Sequence, residues 1–203
     1  MIVVGLTGSI AMGKSTVGAL FAAEGAPVFD GDSAVHALYR GAAASPVEAA
    51  FPGVVREGAV DRDRLAGRVL GDSAALARLE GIVHPMVAQA RQAFLSHAAA
   101  QGRRLVVVDI PLLFETGGER SVDVVVVVSA SQATQRARAL ARNGVTPERF
   151  EQMIARQTPD EEKRRRAHLV IDTNGAIEMT RWQVRGFLRC ASPMIGRSAS
   201  FDA

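Results

Sequence analysis

Five short runs of the chain are apolar almost throughout: Met1–Thr7, Ala26–Asp30, Arg104–Asp109, Val122–Val128 and His168–Ile171. A strand wetted on one face alternates apolar and polar residues. Runs that do not alternate belong to a parallel sheet covered by helices on both faces. Between the runs the period changes to three and four, as in Val17, Leu20 and Phe21 within 15–24. Strand and helix patterns therefore take turns, and the predicted fold is α/β: three layers around a five-stranded parallel sheet.

The spacing of the strands is uneven. About seventy residues separate the second run from the third, with helical patterns at 33–40, 45–50, 61–70 and 72–100. One crossover needs a single helix, so 33–100 reads as a helical insertion near the carboxyl edge of the sheet. About forty residues separate the fourth and fifth runs, with helices expected at 131–142 and 146–157. Asn143-Gly144 ends the first of these and Thr146-Pro147-Glu148 starts the second. An arginine-bearing helical hairpin here reads as a lid, spanning 131–166. The core then comprises 1–32, 101–130 and 167–191, with a last helix after Gly175, and the polar tail 192–203 is expected to fray.

The length of 203 residues suits one compact domain. With 48% hydrophobic but only 5% aromatic residues, its core must be built from Val, Leu, Ile and Ala. The net charge of +3 comes from scattered arginines without interleaved aromatics, which suits polyphosphate handling and argues against a nucleic-acid partner. The dense run Lys163–Arg166 follows Asp160-Glu161-Glu162, a mixture that reads as a solvated helix face with i,i+4 pairs. Cys190 is the single cysteine, which leaves no internal disulfide or cysteine metal cage and fits a reducing cytoplasm. No stretch approaches a membrane span, and the N-terminus is used as a strand rather than a signal peptide. The four histidines have no metal-ligand spacing, so zinc is rejected. Oligomeric state stays open, with a monomer preferred.

The chemistry concentrates after the first run. Gly8 to Ser15 read G-x-x-x-x-G-K-S. A strand delivers this loop and a helix starts at its end, which turns backbone N–H groups and a helix N-terminus toward an anionic phosphate chain. Of 24 basic side chains only Lys14 and Lys163 are lysines. A chain that otherwise uses arginine has placed a compact ammonium at the loop. Gly8, Ala11, Met12, Gly13, Lys14, Ser15 and Thr16 are thus the expected ATP contacts. The hydroxyl of Ser15 would bind Mg²⁺, with Asp109, at the end of the third run, beside the metal's water shell.

Asp30-Gly31-Asp32 follows the second run. A carboxylate there can orient an acceptor hydroxyl and take its proton. Asp32 is chosen as the base and Asp30 as its support; the competing reading makes Asp32 only a helix N-cap. His36, one turn on, either contacts substrate or satisfies Asp32. On the hairpin, Arg138 and Arg142 are i,i+4 neighbours able to converge on one anion, and both are catalytic candidates.

Taken together these segments resemble the dephospho-coenzyme A kinase family from Ile2 to about Gly175. The resemblance rests on the Gly5–Thr16 opening, on Asp30-Gly31-Asp32 with His36 and Leu38, and on Leu79-Glu80 through His84-Pro85. Asp109-Ile110-Pro111-Leu112-Leu113-Phe114-Glu115, Arg142 through Gln157 and Ile171–Gly175 complete it. The loop departs from the family's glycine-rich form at Ser9, Ala11 and Met12, and His168 and Thr173 replace residues common near the adenine pocket. The resemblance implies ATP-dependent phosphorylation of the ribose 3′-hydroxyl of dephospho-CoA, with 33–100 holding the CoA-like substrate. It adds His84, Phe114 and Glu115 to Asp32 and His36 as substrate-side residues. The alternative is another small-metabolite or nucleoside monophosphate kinase on the same fold. A GTP-binding switch is excluded because no lysine lies in a guanine-reading Asn/Thr-Lys-x-Asp element.

Overall fold

The computed structural model describes residues 1–191; the expectation for the tail lies outside the described residues. The elements run β1 (Ile2–Thr7), α1 (Lys14–Ala23), β2 (Val28–Asp30), α2 (Gly31–Tyr39), α3 (Ala44–Ala50), β3 (Val55–Arg56), β4 (Ala59–Val60), α4 (Arg62–Val69) and α5 (Ser73–Ala100). Then come β5 (Leu105–Asp109), a 3₁₀ turn (Gly118–Ser121), β6 (Val124–Ser129), α6 (Gln132–Leu140), α7 (Pro147–Ala155), α8 (Asp160–Arg166), β7 (Leu169–Asp172) and α9 (Ile177–Ala191). All five predicted strands are present in one sheet, in the order β2-β5-β1-β6-β7. β1 is central and pairs in parallel with β5 (Leu6 opposite Asp109) and with β6 (Leu6 opposite Val126).

Two compact units divide the chain: Met1–Phe29 with the described residues from Ala98 onward, and Asp30–His97. In the first, strand residues alternate between two apolar layers, as burial on both faces requires. Ile2, Val4 and Leu6 of β1 and Val124, Val126 and Val128 of β6 pack with Val17, Phe21 and Val184 of the flanking helices. Val125 and Val127 face the other way, onto Leu113 and Phe114. The ladder of β6 starts two residues later than the apolar run. Asp123 takes over the pairing there: its carboxylate accepts from the Val3 N–H at 2.8 Å.

The second unit has its own core around Val47, Phe51, Val54, Leu65 and Leu79. It contains an antiparallel hairpin, β3–β4, that periodicity did not predict, because two-residue strands are too short to show a period. At its turn, Glu57 and Gly58 both have positive φ, 50° and 78°, as a two-residue hairpin turn requires. Pro85 lies inside the 28-residue α5, where it leaves one carbonyl of the preceding turn without its helical donor.

Helix α8 corrects one expectation. Arg164 and Arg165 are solvated and Arg166 pairs with Glu162 at 3.3 Å, but Lys163 is fully buried. Its ammonium lies 2.9 Å from Glu115 Oε1, which also accepts from the Thr158 N–H at 2.8 Å. Helical spacing alone could not show this, since the partner comes from the loop after β5. Burial pushes the Glu115 carboxyl up, but the Lys163 ammonium and the Thr158 N–H outweigh it and hold the group below the ordinary glutamate value of 4.5. A depressed native value contributes stability that is complete above the unfolded value and is lost as pH falls through the native one. Lys163→Met is therefore expected to cost about 3–5 kcal/mol near neutrality, since it leaves a carboxylate without its counter-charge. Denaturant melts should show that deficit shrinking in acid, where a protonated Glu115 needs no partner. A deficit independent of pH would assign the loss to packing instead.

Candidate functional site

The loop between β1 and α1 is shaped by close approach. A Cβ on Gly8 would lie 2.6 Å from the Val128 carbonyl oxygen, so β1 and β6 can meet only with glycine here. Gly13, at φ 92°, occupies the N-cap of α1 in the left-handed region, and Ala11 does so without glycine's freedom, at φ 61°. Helix α1 starts at Lys14, so the first-turn N–H groups at Lys14, Ser15 and Thr16 have no helical acceptor and are available to an anion. The Ser15 and Thr16 side chains are exposed at this end. Gly8→Ala is expected to cost about 1–3 kcal/mol by forced backbone displacement. It should also weaken ADP binding, whereas an unchanged melting temperature would contradict the clash.

The Lys14 ammonium hydrogen-bonds the Asp109 carboxylate. The two side chains are 15% and 9% exposed, so the pair is mostly withdrawn from water yet reachable from the loop. The P-loop cation and the strand-end acid, 95 residues apart in sequence, thus meet because β1 and β5 are adjacent. Two oxygen donors suited to a hard cation, the Ser15 hydroxyl and the Asp109 carboxylate, belong to this end of the sheet. No cluster of three or more His, Cys, Asp or Glu side chains able to cage a metal occurs among the described residues.

On the α6–α7 hairpin, Arg138 donates to Thr173 Oγ1 at 2.9 Å and to the Thr173 carbonyl at 2.6 Å. The Thr173 hydroxyl donates in turn to the Met12 carbonyl at 2.8 Å. Arg138, Arg142, Gly13, Thr16 and Thr173 line a 360 Å³ cavity beside the start of α1. The structure thus brings both candidate arginines to one cavity with the P-loop. Arg142 is exposed, and Arg138 is anchored. Thr173, noted only as a departure from the family pattern, links the loop to Arg138. Arg136 turns elsewhere, to Glu151 at 2.6 Å.

In the Asp30–His97 unit, Asp30 and not Asp32 is the N-cap of α2: one Asp30 oxygen accepts from the N–H groups of Asp32 and Ser33 at 2.9 and 3.1 Å. That rules out the capping alternative for Asp32. Its exposed carboxylate makes no hydrogen bond or ion pair with the described residues. His36 does not satisfy Asp32 either, since its Nε2 meets Arg62 at 2.7 Å. Asp32, His36, Tyr39, Arg62, Leu65 and Val69 line a 530 Å³ groove that combines apolar and polar side chains. Burial pushes the Tyr39 hydroxyl up despite the nearby Arg62, so it remains a neutral hydrogen-bonding group there. Arg62 was missed because nothing in its sequence context marks it.

The remaining substrate-side expectations fall in different settings. His84 is exposed on α5. Phe114 is buried beneath the Arg166 guanidinium, 4.4 Å from its ring centre. Glu115 is engaged by Lys163 and Thr158 as described.

Residues 2–179 match the family model for dephospho-CoA kinase. A dephospho-CoA kinase of Nitrobacter winogradskyi is 53% identical over 194 residues, covering 96% of this chain and 98% of that protein. One from Mesorhizobium japonicum is 56% identical over 184 residues, covering 91% and 93%. Among solved structures, a Thermus thermophilus protein superposes with a TM-score of 0.74 at 35% identity, covering 93% of this chain and 96% of that one. A dephospho-CoA kinase from Campylobacter jejuni shares the fold with a TM-score of 0.68 at 21% identity, covering 93% and 96%.

Proposed function

This chain belongs to the dephospho-CoA kinase family, its reaction is the ATP-dependent phosphorylation of dephospho-CoA that completes coenzyme A synthesis, and we propose how its residues divide that work. The carrying observation is the Lys14–Asp109 pair at the mouth of the P-loop, where the one loop ammonium and the strand-end carboxylate adjoin the free N–H groups of α1. The backbone of residues 11–16 and the Lys14 ammonium bind the β- and γ-phosphates of ATP. Ser15 and Asp109 would hold Mg²⁺, which neutralises phosphate charge when bound.

The acceptor is the ribose 3′-hydroxyl. Asp32 orients it and takes its proton as the oxygen bonds to the γ-phosphorus and the bond to the β,γ-bridging oxygen breaks, releasing ADP. The absence of a competing partner for Asp32 among the described residues supports that role. His36, Arg62 and Tyr39 supply polar contacts in the same groove, and the 33–100 segment carries the CoA-like substrate, with His84 on its substrate side. The 131–166 segment acts as the lid. Its Arg138 and Arg142 meet charge on the transferring phosphate and its cover keeps water from the γ-phosphate. No helix among the described residues is long and apolar enough to cross a membrane, and we place the enzyme in the cytoplasm as a monomer. Incubation with Mg·ATP and dephospho-CoA, with product mass as readout, should show one added phosphate. Efficient transfer to nucleoside monophosphates and none to dephospho-CoA would overturn the assignment.

A further inference from the structure

Both backbone polar atoms of one P-loop residue, Ile10, are held by side chains of the 131–166 segment, one on α6 and one just after α7. The Ile10 N–H donates to Gln157 Oε1 at 3.1 Å, and the Ile10 carbonyl accepts from Gln135 Nε2 at 2.9 Å. Gln135 is only 5% exposed, a polar side chain on the inward face of α6 beside Ala139. Two residues on, the Met12 carbonyl is held by Thr173, to which Arg138 of the same helix is bonded. Between these grips lies Ala11, whose positive φ a non-glycine residue adopts only when its neighbours leave no alternative. Its methyl group packs with Ala139 and Phe150, again from the hairpin.

We propose that Gln135 and Gln157 are positioning residues for phosphoryl transfer: they fasten the crown of the P-loop to the 131–166 segment, so that the phosphate-binding amides and the arginines of α6 are presented to the nucleotide as one array. This rests on the residue roles proposed above. The side-chain chemistry suits the task. A carboxylate at either position would set a negative charge beside a polyphosphate, and an ammonium could not accept from the Ile10 N–H. Neutral amides satisfy one donor and one acceptor without changing the charge of the site. The Ile10 N–H is already used, so it is not among the donors left for phosphate.

The test is calorimetric titration of Mg·ADP into the parent protein, Gln135→Met, Gln157→Met and the double variant, alongside steady-state kinetics. Each single change should weaken ADP about tenfold and lower kcat, with the KM for dephospho-CoA within about twofold of the parent. The double variant should be little worse than the more impaired single one, because both act on the backbone of the same residue. Gln157 is only partly buried, so its variant decides the matter if Gln135→Met does not fold. ADP affinity within twofold of the parent in folded Gln157→Met, or equal loss of affinity for both substrates, would overturn the proposal. Failure of dephospho-CoA as acceptor would instead sink the assigned reaction and leave the ADP comparison intact.

Discussion

Lys14→Ala is expected to lower phosphoryl transfer by about 10³-fold or more while the protein stays folded. The ammonium is the one side-chain cation within the loop sequence, and charge gathers on the phosphate oxygens it would meet. Removing a single well-placed donor from such a site costs about 10²–10³-fold, and a full charge costs more. The contact with Asp109 sharpens the case. Without the ammonium, the Asp109 carboxylate loses its Lys14 contact where a polyphosphate must bind, so affinity for ATP should fall together with turnover. Lys14→Arg is not a rescue, because a planar guanidinium cannot replace a compact point charge in a loop this closely packed. Single-turnover transfer with radiolabelled ATP, with circular dichroism to establish folding, checks the expectation. Turnover within tenfold of the parent would make the loop decorative.

The second large effect is at Asp32. Asp32→Asn should reduce kcat by about 10²–10⁴-fold, the range for loss of a general base, with ADP affinity within about twofold of the parent. Asparagine keeps the size and one acceptor oxygen, so orientation of the hydroxyl survives in part while the proton acceptor is gone. The structure separates this from a stability effect. Asp30, not Asp32, caps α2, so Asp30→Ala is the variant expected to lose about 1 kcal/mol of stability. If Asp32→Asn weakened nucleotide binding and left kcat alone, the base assignment would be wrong. If it lowered the melting temperature as much as Asp30→Ala, its role would be structural.

Much of this protein is readable along the chain. The five strands were legible because a sheet covered on both faces demands unbroken apolar runs, which water-facing segments cannot carry. The P-loop was legible because its function depends on backbone geometry between neighbouring residues, which Gly8, Gly13 and Lys14 impose locally. The cap of α2 was only half legible. Asp30-Gly31-Asp32 marks a helix start, but which acid caps depends on one backbone turn. Lys163 was misread as solvated because helical periodicity sees charges on its own helix and not a carboxylate 48 positions earlier.

Gln135 had a faint signal, as a polar residue on an inward helix face; Gln157 and Arg62 had none. The chain order of residues alone thus determined the layered architecture, the phosphate loop and its cation, since those depend on hydrophobic period and local turn chemistry. Tertiary structure alone decided that Lys14 meets Asp109, that Lys163 is buried against Glu115, and that two glutamines grip Ile10. Each of these contacts is a hydrogen bond or ion pair effective over a few ångströms, between residues brought together by strand order and helix packing.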